Sequence, residues 1–344
     1  EEVKVEAQIR LGLIFREIRQ LTWWGPRFIT LLDLDLDRTD LVVKSFLSDN
    51  KKRGFGYLDE IVNNENALAG INGGFFNSNG VPLGLVMMNG KVVTDSIYNR
   101  TALGITDRGE VLIDNIGWQA YINSKIKIDR VNRKPGKNEI AIINNYYNNS
   151  ILINNSEVTL IMIKRNKIFN IIQGESIKNE KINIPPEGRI IIASGDARKM
   201  VSDYKVGSQI DINNKFHPDW NQKKLVSIIQ SGPNLLTEGK INITSEKEKF
   251  QPDVAQGRAP RSAAGVTRDN HLILVTIDGR QRDFSIGMSL KELAKFLKGK
   301  NVVKALNLDG GYSAQMVVRG YTMNNPSQKR VIVDGFLIKH AGNR

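Results

Sequence analysis

Hydrophobic and polar residues in the last third of the chain follow a strand, helix, strand order. The segment "HLILVTIDGR" opens with branched apolar residues, typical of a buried strand, and ends at Asp278. In "SLKELAKFLKGKN" the apolar residues recur at helical spacing, and Ser289 and Glu292 are spaced as a capping box. A second apolar run, "VVKALNLDGG", ends at Asp309. This order predicts a βαβ unit with parallel strands.

The first third has the same order. Apolar and acidic positions alternate in "RFITLLDLDLDRTDLVVKSFLS", which predicts a half-buried strand followed by a buried one. Leu58, Ile61 and Val62 then recur at helical spacing, and a run of small apolar residues ends at Asn72. We therefore predict a second βαβ unit in this part of the chain.

The middle of the chain differs in composition, with many Asn, Ile and Lys, short strand-like runs and few helical patterns. We interpret residues 115–225 as a β-rich insertion within one domain. An N-terminal extension at 1–29 precedes a core made of residues 30–114 and 226–344. The predicted fold class is α/β, in a mixed α+β form, with a central sheet of βαβ units, flanking helices and the β-rich insertion.

Composition excludes several kinds of site. The chain of 344 residues contains no cysteine, so disulfides, a thiolate nucleophile and thiolate metal sites are absent. The histidines, His217, His271 and His340, are far apart and lack the spacing of a zinc site. No apolar run reaches the roughly 18 to 20 residues that cross a bilayer, and the first residues lack the layout of a signal peptide.

The net charge of +13 suggests an anionic partner. The segment "KIKIDRVNRKPGK" at 125–137 concentrates six basic residues against one acid, which is typical of a solvated face or of a site for an anionic polymer. Aromatic residues are not interleaved with this run, as binding to single-stranded nucleic acid would require. We expect no nucleic-acid partner.

Two predicted strands end in similar sequences, Asn72-Gly73-Gly74 and Asp309-Gly310-Gly311. Glycine is favoured where φ is positive or where another group approaches the main chain closely, so these ends indicate either tight turns or a binding site. Strands ending at Asp278 and Asp309 in one crossover unit bring both acids to the same sheet edge. Carboxyl groups there would lie roughly 5 to 10 Å apart, the range in which acid pairs hydrolyse glycosidic bonds.

The same edge collects arginines. Arg258 and Arg261 precede a strand, and Arg280 follows Asp278 by two positions. A guanidinium group binds phosphate or carboxylate in a bidentate way, and glycine amides would add donors, so an anionic substrate is indicated. Trp23 and Trp24 could stack on a sugar, although a core or interface role is the alternative.

Six motifs in order give the chain a resemblance to a known family. They are "INGGFF" at 71–76, "RTALGIT" at 100–106, "SGPNLLTEGK" at 231–240, "RAPRSAAGVT" at 258–267, "VTIDGR" at 275–280 and "ALNLDGGYSAQM" at 305–316. Over roughly residues 30–340 the chain resembles the phosphodiester glycosidase family. The resemblance implies hydrolysis of a sugar-1-phosphodiester, in a cleft lined by these motifs on an α/β core with a β-rich insertion.

The resemblance also implies site residues. The family's motif positions fall on Asn72, Gly73, Gly74, Arg100, Ser231, Gly232, Arg261, Asp278, Arg280, Asp309, Gly310, Gly311 and Ser313. The family usually has a third glycine where Tyr312 stands, and more often a glycine where Ser231 stands. We expect Tyr312 to reshape the sugar pocket.

We assign acid and base work to Asp309 and Asp278, and substrate binding to the remaining motif residues. No cofactor is required, and a divalent cation at Asp309 or Asp278 is left open because hard cations choose oxygen ligands. The expected partner is a phosphodiester-linked glycan or glycopolymer, and the expected location is secreted or at the cell envelope. The alternatives are a non-catalytic module that binds anionic cell-wall glycopolymer, and a phosphodiesterase that cleaves a P–O bond.

Overall fold

A computed structural model describes residues 2–342, and the chain is mostly β. Strands form 48% of it and helices 10%, so the predicted α/β class with flanking helices is wrong. Residue 1 and residues 343 and 344, at the ends of the predicted extension and core, lie outside the described residues. No helix within residues 2–342 has both the length and the apolar composition needed to cross a membrane.

Within the described residues, the elements follow one another in three groups. The first strands are β1 (Glu2–Arg10), β2 (Leu13–Thr22), β3 (Gly25–Asp35), β4 (Leu41–Leu47), β5 (Ala69–Asn72), β6 (Val86–Met88), β7 (Lys91–Thr94), β8 (Thr101–Thr106) and β9 (Val111–Asn115). The middle strands are β10 (Gly117–Ile122), β11 (Ile126–Ile128), β12 (Arg130–Val131), β13 (Ile140–Asn144), β14 (Ser150–Ile153), β15 (Val158–Lys164), β16 (Lys167–Gln173), β17 (Glu180–Asn183), β18 (Gly188–Ser194) and β19 (Ile212–His217). The last are β20 (Leu225–Gln230), β21 (Asn234–Thr237), β22 (Lys240–Ile241), β23 (Arg261–Thr267), β24 (His271–Ile277), β25 (Val302–Asn307), β26 (Met316–Val318), β27 (Tyr321–Thr322) and β28 (Asp334–His340). The helices are α1 (Leu58–Asn64), α2 (Pro252–Ala255) and α3 (Leu290–Gly299), with 3₁₀ turns at Gly174–Ser176, Gly195–Val201 and Gly311–Ser313.

Three sheets form the part of the molecule that carries the predicted site. Sheet A has the order β1-β2-β3-β24-β23-β25-β21-β22, sheet B the order β27-β26-β5-β28-β4, and sheet C the order β7-β6-β20-β8-β9. All strand pairs in these sheets are antiparallel. Antiparallel pairing needs no helical crossover between neighbours, which is why so few helices are present.

The helix crossovers are present, but the strands they join are not neighbours. Strands β24 and β25 run in the same direction on either side of β23, which is antiparallel to both. Strands β4 and β5 likewise flank the antiparallel β28. The prediction of a central sheet of βαβ units failed because local patterns do not reveal a third strand inserted from elsewhere in the chain. The carboxyl ends of β24 and β25 still share one edge of sheet A.

Sheet A is buried on both faces, which explains the nearly continuous apolar runs of β3 and β24. On one face Leu32 and Leu274 pack with side chains of sheets B and C. On the other face Leu31 and Val275 pack against Leu293 of α3. The Ser289 hydroxyl accepts from the amide of Glu292 and the Glu292 carboxylate accepts from the amide of Ser289, so the predicted capping box of α3 is confirmed.

Strands β10–β19 occupy the stretch predicted as an insertion. They form a five-stranded sheet, β12-β13-β18-β15-β16, a three-stranded sheet, β11-β10-β19, and a two-stranded sheet, β14-β17. Ile142 and Ile161 of this region pack with Leu85 and Met87 of sheet C. At the other end of the chain, β1 and β2 extend sheet A beyond β3. The domain boundaries at 29, 115 and 225 stay predictions.

Candidate active site

Asn72, at the end of β5, holds the backbone of Asp309. Its side-chain amide donates to the Asp309 carbonyl at 2.7 Å. Its side-chain oxygen accepts from the Ser262 hydroxyl at 2.7 Å and from the Gln315 amide at 3.2 Å. Asn72 is 1% exposed. Sheets A and B therefore meet at this side chain, and Asn72 positions Asp309 from below the surface.

The Gly73-Gly74 turn lies between two aspartates. The Asp309 amide donates to the Gly73 carbonyl at 2.9 Å, and the Gly73 amide donates to the Asp334 carbonyl at 2.9 Å. The Gly74 amide donates to Oδ1 of Asp334 at 2.6 Å. A Cβ on Gly73 would stand 2.3 Å from that oxygen. The turn needs glycine for close approach, and both of its amides are already used inside the protein.

Asp309 and Asp334 form a carboxyl pair. Burial raises the pKa of Asp309 to about 6, against the opposing effects of Ser313, Arg330 and the Gly310 amide. Burial, together with the negative charge of Asp309, raises the pKa of Asp334 to about 7. Asp334 is buried, whereas Asp309 is half-buried and keeps part of its surface open. Both carboxyl groups therefore keep their protons to a higher pH than a free aspartate does, as expected of an acid and base couple.

Asp334 was missed by the sequence reasoning. A signal was present, because Asp-Gly follows an apolar run in "TIDG", "NLDG" and again in "IVDG", at Asp278, Asp309 and Asp334. The third occurrence opens β28, whereas the others follow their strands. Oδ2 of Asp334 is buried and has no hydrogen-bond partner among the described residues. A buried carboxyl oxygen of this kind is more typical of a functional site than of a structural one.

Asp278 lies at the predicted sheet edge, but its side chain is buried there. It is 1% exposed, and burial raises its pKa. Oδ1 accepts from the side-chain amide of Asn324 at 2.8 Å, and Oδ2 accepts from the backbone amide of Asn325 at 2.7 Å. Both carboxylate oxygens are thus engaged in holding the loop that follows β27.

That loop carries a second residue missed from the sequence, Arg330. Its positive charge lowers the pKa of Asp309, and its guanidinium carbon lies 5.1 Å from the Phe76 ring centroid. Arg330 is exposed, and its guanidinium makes no hydrogen bond or ion pair with another residue of the described chain. Nothing in "PSQKRVIV" marks this arginine locally, because its position depends on the anchoring of the loop by Asp278.

Arg261 and Arg280 are close enough for like-charge repulsion, yet they differ in accessibility. Arg261 is buried, and its guanidinium donates to the carbonyls of Met288, Val254 and Gly257 at 3.0, 2.9 and 3.2 Å. Burial first, and then Arg280, lowers the pKa of Arg261 to about 10. Arg280 is exposed and makes no hydrogen bond or ion pair with another described residue. Arg280 is therefore the one available to a ligand.

The chain around Gly310 and Gly311 presents Arg280. Its guanidinium carbon lies 5.1 Å from the Tyr312 ring centroid, and a Cβ on Gly311 would stand 3.5 Å from its nitrogens. Gly311 has φ +59° and donates its amide to Pro260, so this amide is also used internally. The Ser313 hydroxyl is buried beside Asp309 and has no hydrogen-bond partner at normal distance within residues 2–342.

The remaining predicted residues form a supporting wall. Arg100 donates to the carbonyls of Glu248 and Lys249, and its guanidinium carbon lies 3.9 Å from the Phe250 ring centroid. Gly232 has φ +97°, and a Cβ there would stand 2.3 Å from the carboxylate of Glu248. Ser231 is fully buried, and its hydroxyl has no partner among the described residues. These three residues therefore make room for neighbouring groups and support the structure around the site. They do not present groups that would contact a ligand.

Two further features of the described residues bear on a metal or ligand site. Within residues 2–342, no three histidine, aspartate or glutamate side chains come together as a metal site would require. The cation predicted at Asp309 or Asp278 stays a prediction. A cavity of about 480 Å³ lies elsewhere, lined by β4, β20 and Tyr146, and contains none of the predicted site residues.

Comparisons with known proteins identify the family. Residues 137–339 match the sequence profile of the phosphodiester glycosidase family. The N-acetylglucosamine-1-phosphodiester alpha-N-acetylglucosaminidase of Mus musculus is 43% identical over 67 residues, which are 20% of this chain and 13% of that protein. This chain thus aligns with a small part of the mouse protein.

Solved structures share the fold. The crystal structure of a hypothetical protein from Synechocystis has a TM-score of 0.80 at 22% identity, covering 98% of this chain and 64% of that one. The catalytic domain of zebrafish N-acetylglucosamine-1-phosphodiester alpha-N-acetylglucosaminidase, auto-inhibited by its pro-peptide, has a TM-score of 0.53 at 17% identity, covering 95% and 82%. At such identities the likeness concerns the fold alone.

Proposed function

The chain belongs to the phosphodiester glycosidase family, and on that premise we propose that it is a hydrolase of sugar-1-phosphodiesters. It releases the free sugar and leaves a phosphomonoester on the rest of the substrate. One observation carries the proposal: partly exposed Asp309 lies beside buried Asp334 and interacts with the charge of Arg330, whose guanidinium makes no hydrogen bond or ion pair to another described residue. Arg280 lies against Gly311 and Tyr312 of the turn that follows Asp309.

Arg280 and Arg330 bind the phosphate in this proposal. Both side chains are exposed, and neither guanidinium makes a hydrogen bond or ion pair to another described residue, so binding an anion breaks no such bond. A phosphate monoester is a fair leaving group, and two guanidinium groups stabilise the charge that it gains as the bond breaks. Arg261 has the supporting role instead, because its donors are taken by backbone carbonyls.

Asp309 acts at C1 of the sugar, directly or through a water molecule that it activates. Asp309 keeps part of its surface open, so it is the member of the pair that reaches the substrate, and buried Asp334 shares the proton of the pair with it. The bond from C1 to the phosphate oxygen breaks. The hydroxyl group of water ends on C1 and its proton ends on the phosphate. Asp278 and Asn72 are positioning residues, because their polar atoms hold the Asn324 loop and the Asp309 backbone.

The relative's name gives the first substrate to try, an N-acetylglucosamine-1-phosphodiester. With purified protein in heavy-oxygen water, we expect free sugar carrying the label. Cleavage of the P–O bond on the far side of phosphorus would instead give sugar phosphate, and cleavage of the sugar-side P–O bond would put the label on the phosphomonoester. A pure binding module would give no product. Asp309→Asn should reduce kcat at least about a thousandfold with the circular dichroism spectrum unchanged. Full activity of that variant would remove Asp309 from the mechanism.

Export to the cell envelope stays part of the proposal.

A further inference from the structure

The exposed tryptophans lie at the same sheet edge as the candidate active site. Strand β3 begins at the edge where β24 ends, since Ile29 pairs with Ile277. The turn between β2 and β3 therefore extends past the level of Asp278, whose amide donates to the Phe28 carbonyl, and it carries Trp23 and Trp24, which are 96% and 67% exposed. The two tryptophans are adjacent, and neighbouring exposed apolar side chains, unlike single ones, are typical of an interaction site.

The turn is built to hold its tryptophans in place. The Thr22 hydroxyl donates to the Gly25 carbonyl at 2.7 Å and accepts from the Trp24 amide at 3.2 Å. A Cβ on Gly25 would stand 2.9 Å from the Ile286 side chain, so the turn packs against the segment that follows Arg280. The backbone of the turn is thus fixed, and ordering it on ligand binding costs little conformational entropy.

An arginine accompanies the aromatic ring here, as at Tyr312. The guanidinium carbon of Arg258 lies 4.9 Å from the Trp24 ring centroid. Arg258 and Arg27 share the single carboxylate of Glu292, which leaves one positive charge in excess.

The two aromatic and guanidinium pairs are joined by a short stretch of chain. Arg258 is two residues before Pro260, at most about 7 Å along the chain, and the Pro260 carbonyl accepts from Gly311, the neighbour of Tyr312. Two pairs, Trp24 with Arg258 and Tyr312 with Arg280, therefore follow one another along this edge.

We propose that Trp23, Trp24 and Arg258 form an outer subsite for a phosphodiester-linked glycan, in which a sugar outside the cleaved unit stacks on the indoles and its phosphate meets Arg258. This inference rests on the proposed function. An aromatic face with a guanidinium group matches a sugar followed by a phosphate, and the repeat of that pairing matches a substrate with repeating sugar-phosphate units. The substrate class is then a glycosyl phosphate polymer.

The test compares a glycosyl-1-phosphate oligomer of several units with N-acetylglucosamine 1-(methyl phosphate). In the double variant Trp23→Ala, Trp24→Ala we expect KM for the oligomer to rise at least tenfold with kcat unchanged. Kinetics with the methyl phosphate should stay within twofold. Phe169→Ala, an exposed aromatic of the middle region, is the matched control and should change neither substrate. Equal KM for the oligomer in the double variant and the wild type would overturn the subsite.

A binding measurement separates this inference from the proposed reaction. In the Asp309→Asn background, calorimetry should show oligomer binding weakened at least tenfold by the tryptophan changes. If neither substrate is ever cleaved but this difference persists, the reaction fails and the subsite stands. If the tryptophan changes instead convert a dimer to a monomer in ultracentrifugation and leave oligomer binding unaltered, the surface is a subunit contact and the subsite is refuted.

Discussion

The units β4–α1–β5 and β24–α3–β25 have the same architecture, and each encloses an antiparallel strand between its parallel ones. Each also ends in a polar residue and two glycines. At the first end Asn72 is buried and its side chain is fully engaged, whereas at the second end Asp309 is half-buried and has a raised pKa. The two units therefore share a backbone arrangement. They differ in chemistry, because the second end carries the carboxylate of Asp309 where the first carries the amide of Asn72.

The most direct test of this difference is a substitution of Asp334. This carboxylate accepts from the Gly74 amide at the first end and interacts with Asp309 at the second. If the active form of the pair holds one proton, kcat/KM should rise with pH as the pair loses its first proton and fall as it loses its second, in the range of about 6 to about 7. Asp334→Asn should lower kcat about 10²- to 10³-fold and abolish the fall at high pH, because asparagine does not titrate. A pH profile between roughly pH 4 and 9 checks this. An unchanged alkaline fall would assign that limb to another group.

The second prediction tests whether the first end is purely structural. Asn72→Asp replaces the donor to the Asp309 carbonyl by a carboxylate oxygen, which places a buried charge against an acceptor. We expect the free energy of unfolding to fall by about 2–4 kcal/mol, measured by urea denaturation. Asn72→Ser is the milder comparison, because a hydroxyl can still donate. Wild-type stability in Asn72→Asp would mean that this end tolerates charge as the other does.

The third prediction compares two arginines of one edge. Arg280→Gln removes an exposed group without described polar partners, so kcat/KM should fall about 10- to 100-fold with stability unchanged. Arg261→Gln leaves buried carbonyls unpaired and should cost about 2–3 kcal/mol of stability. Kinetics and urea denaturation of both variants decide the assignment. It fails if Arg280→Gln is as active as the wild type, or if Arg261→Gln is as stable.

Sequence patterns predicted the strand ends better than they predicted the sheet between them. The runs ending at Asp278 and Asp309 are strands that point to one edge, and the start of α3 is where Ser289 and Glu292 indicate. The antiparallel strands β23 and β28 were missed as inserted neighbours, because strand pairing depends on long-range register. Hydrophobic periodicity indicates which side chains of a segment are buried. It does not indicate which distant segment pairs with it.

The site was harder to predict than the strand ends, for a related reason. Arg261 and Arg280 look alike in sequence, and only the packing of the Val254–Gly257 backbone over Arg261 separates them. Asp334 and Arg330 enter the site through β28 and its preceding loop, far from the motifs of the other strand ends. Where the role of a residue depends on its burial and on distant neighbours, that role is assigned from the structure. This holds even where the sequence motif is easily recognised.

The smallest expected effect concerns the stability cost of the carboxylate at the second end. Burial raises the pKa of Asp309 from 3.8 to about 6, so the folded protein holds this proton at a pH where the unfolded chain has lost it. The free energy of unfolding therefore decreases as pH rises from about 4 to about 6, and stays lower above that range. Asp309→Asn should be more stable than the wild type by on the order of 2 kcal/mol at pH 8 and equal to it near pH 4. Urea denaturation at both pH values measures the difference, with exposed Asp196→Asn as the control that should gain nothing at pH 8. A variant less stable than the wild type at both pH values would mean that the Asp309 carboxylate supports the fold, and the contrast with Asn72 would disappear.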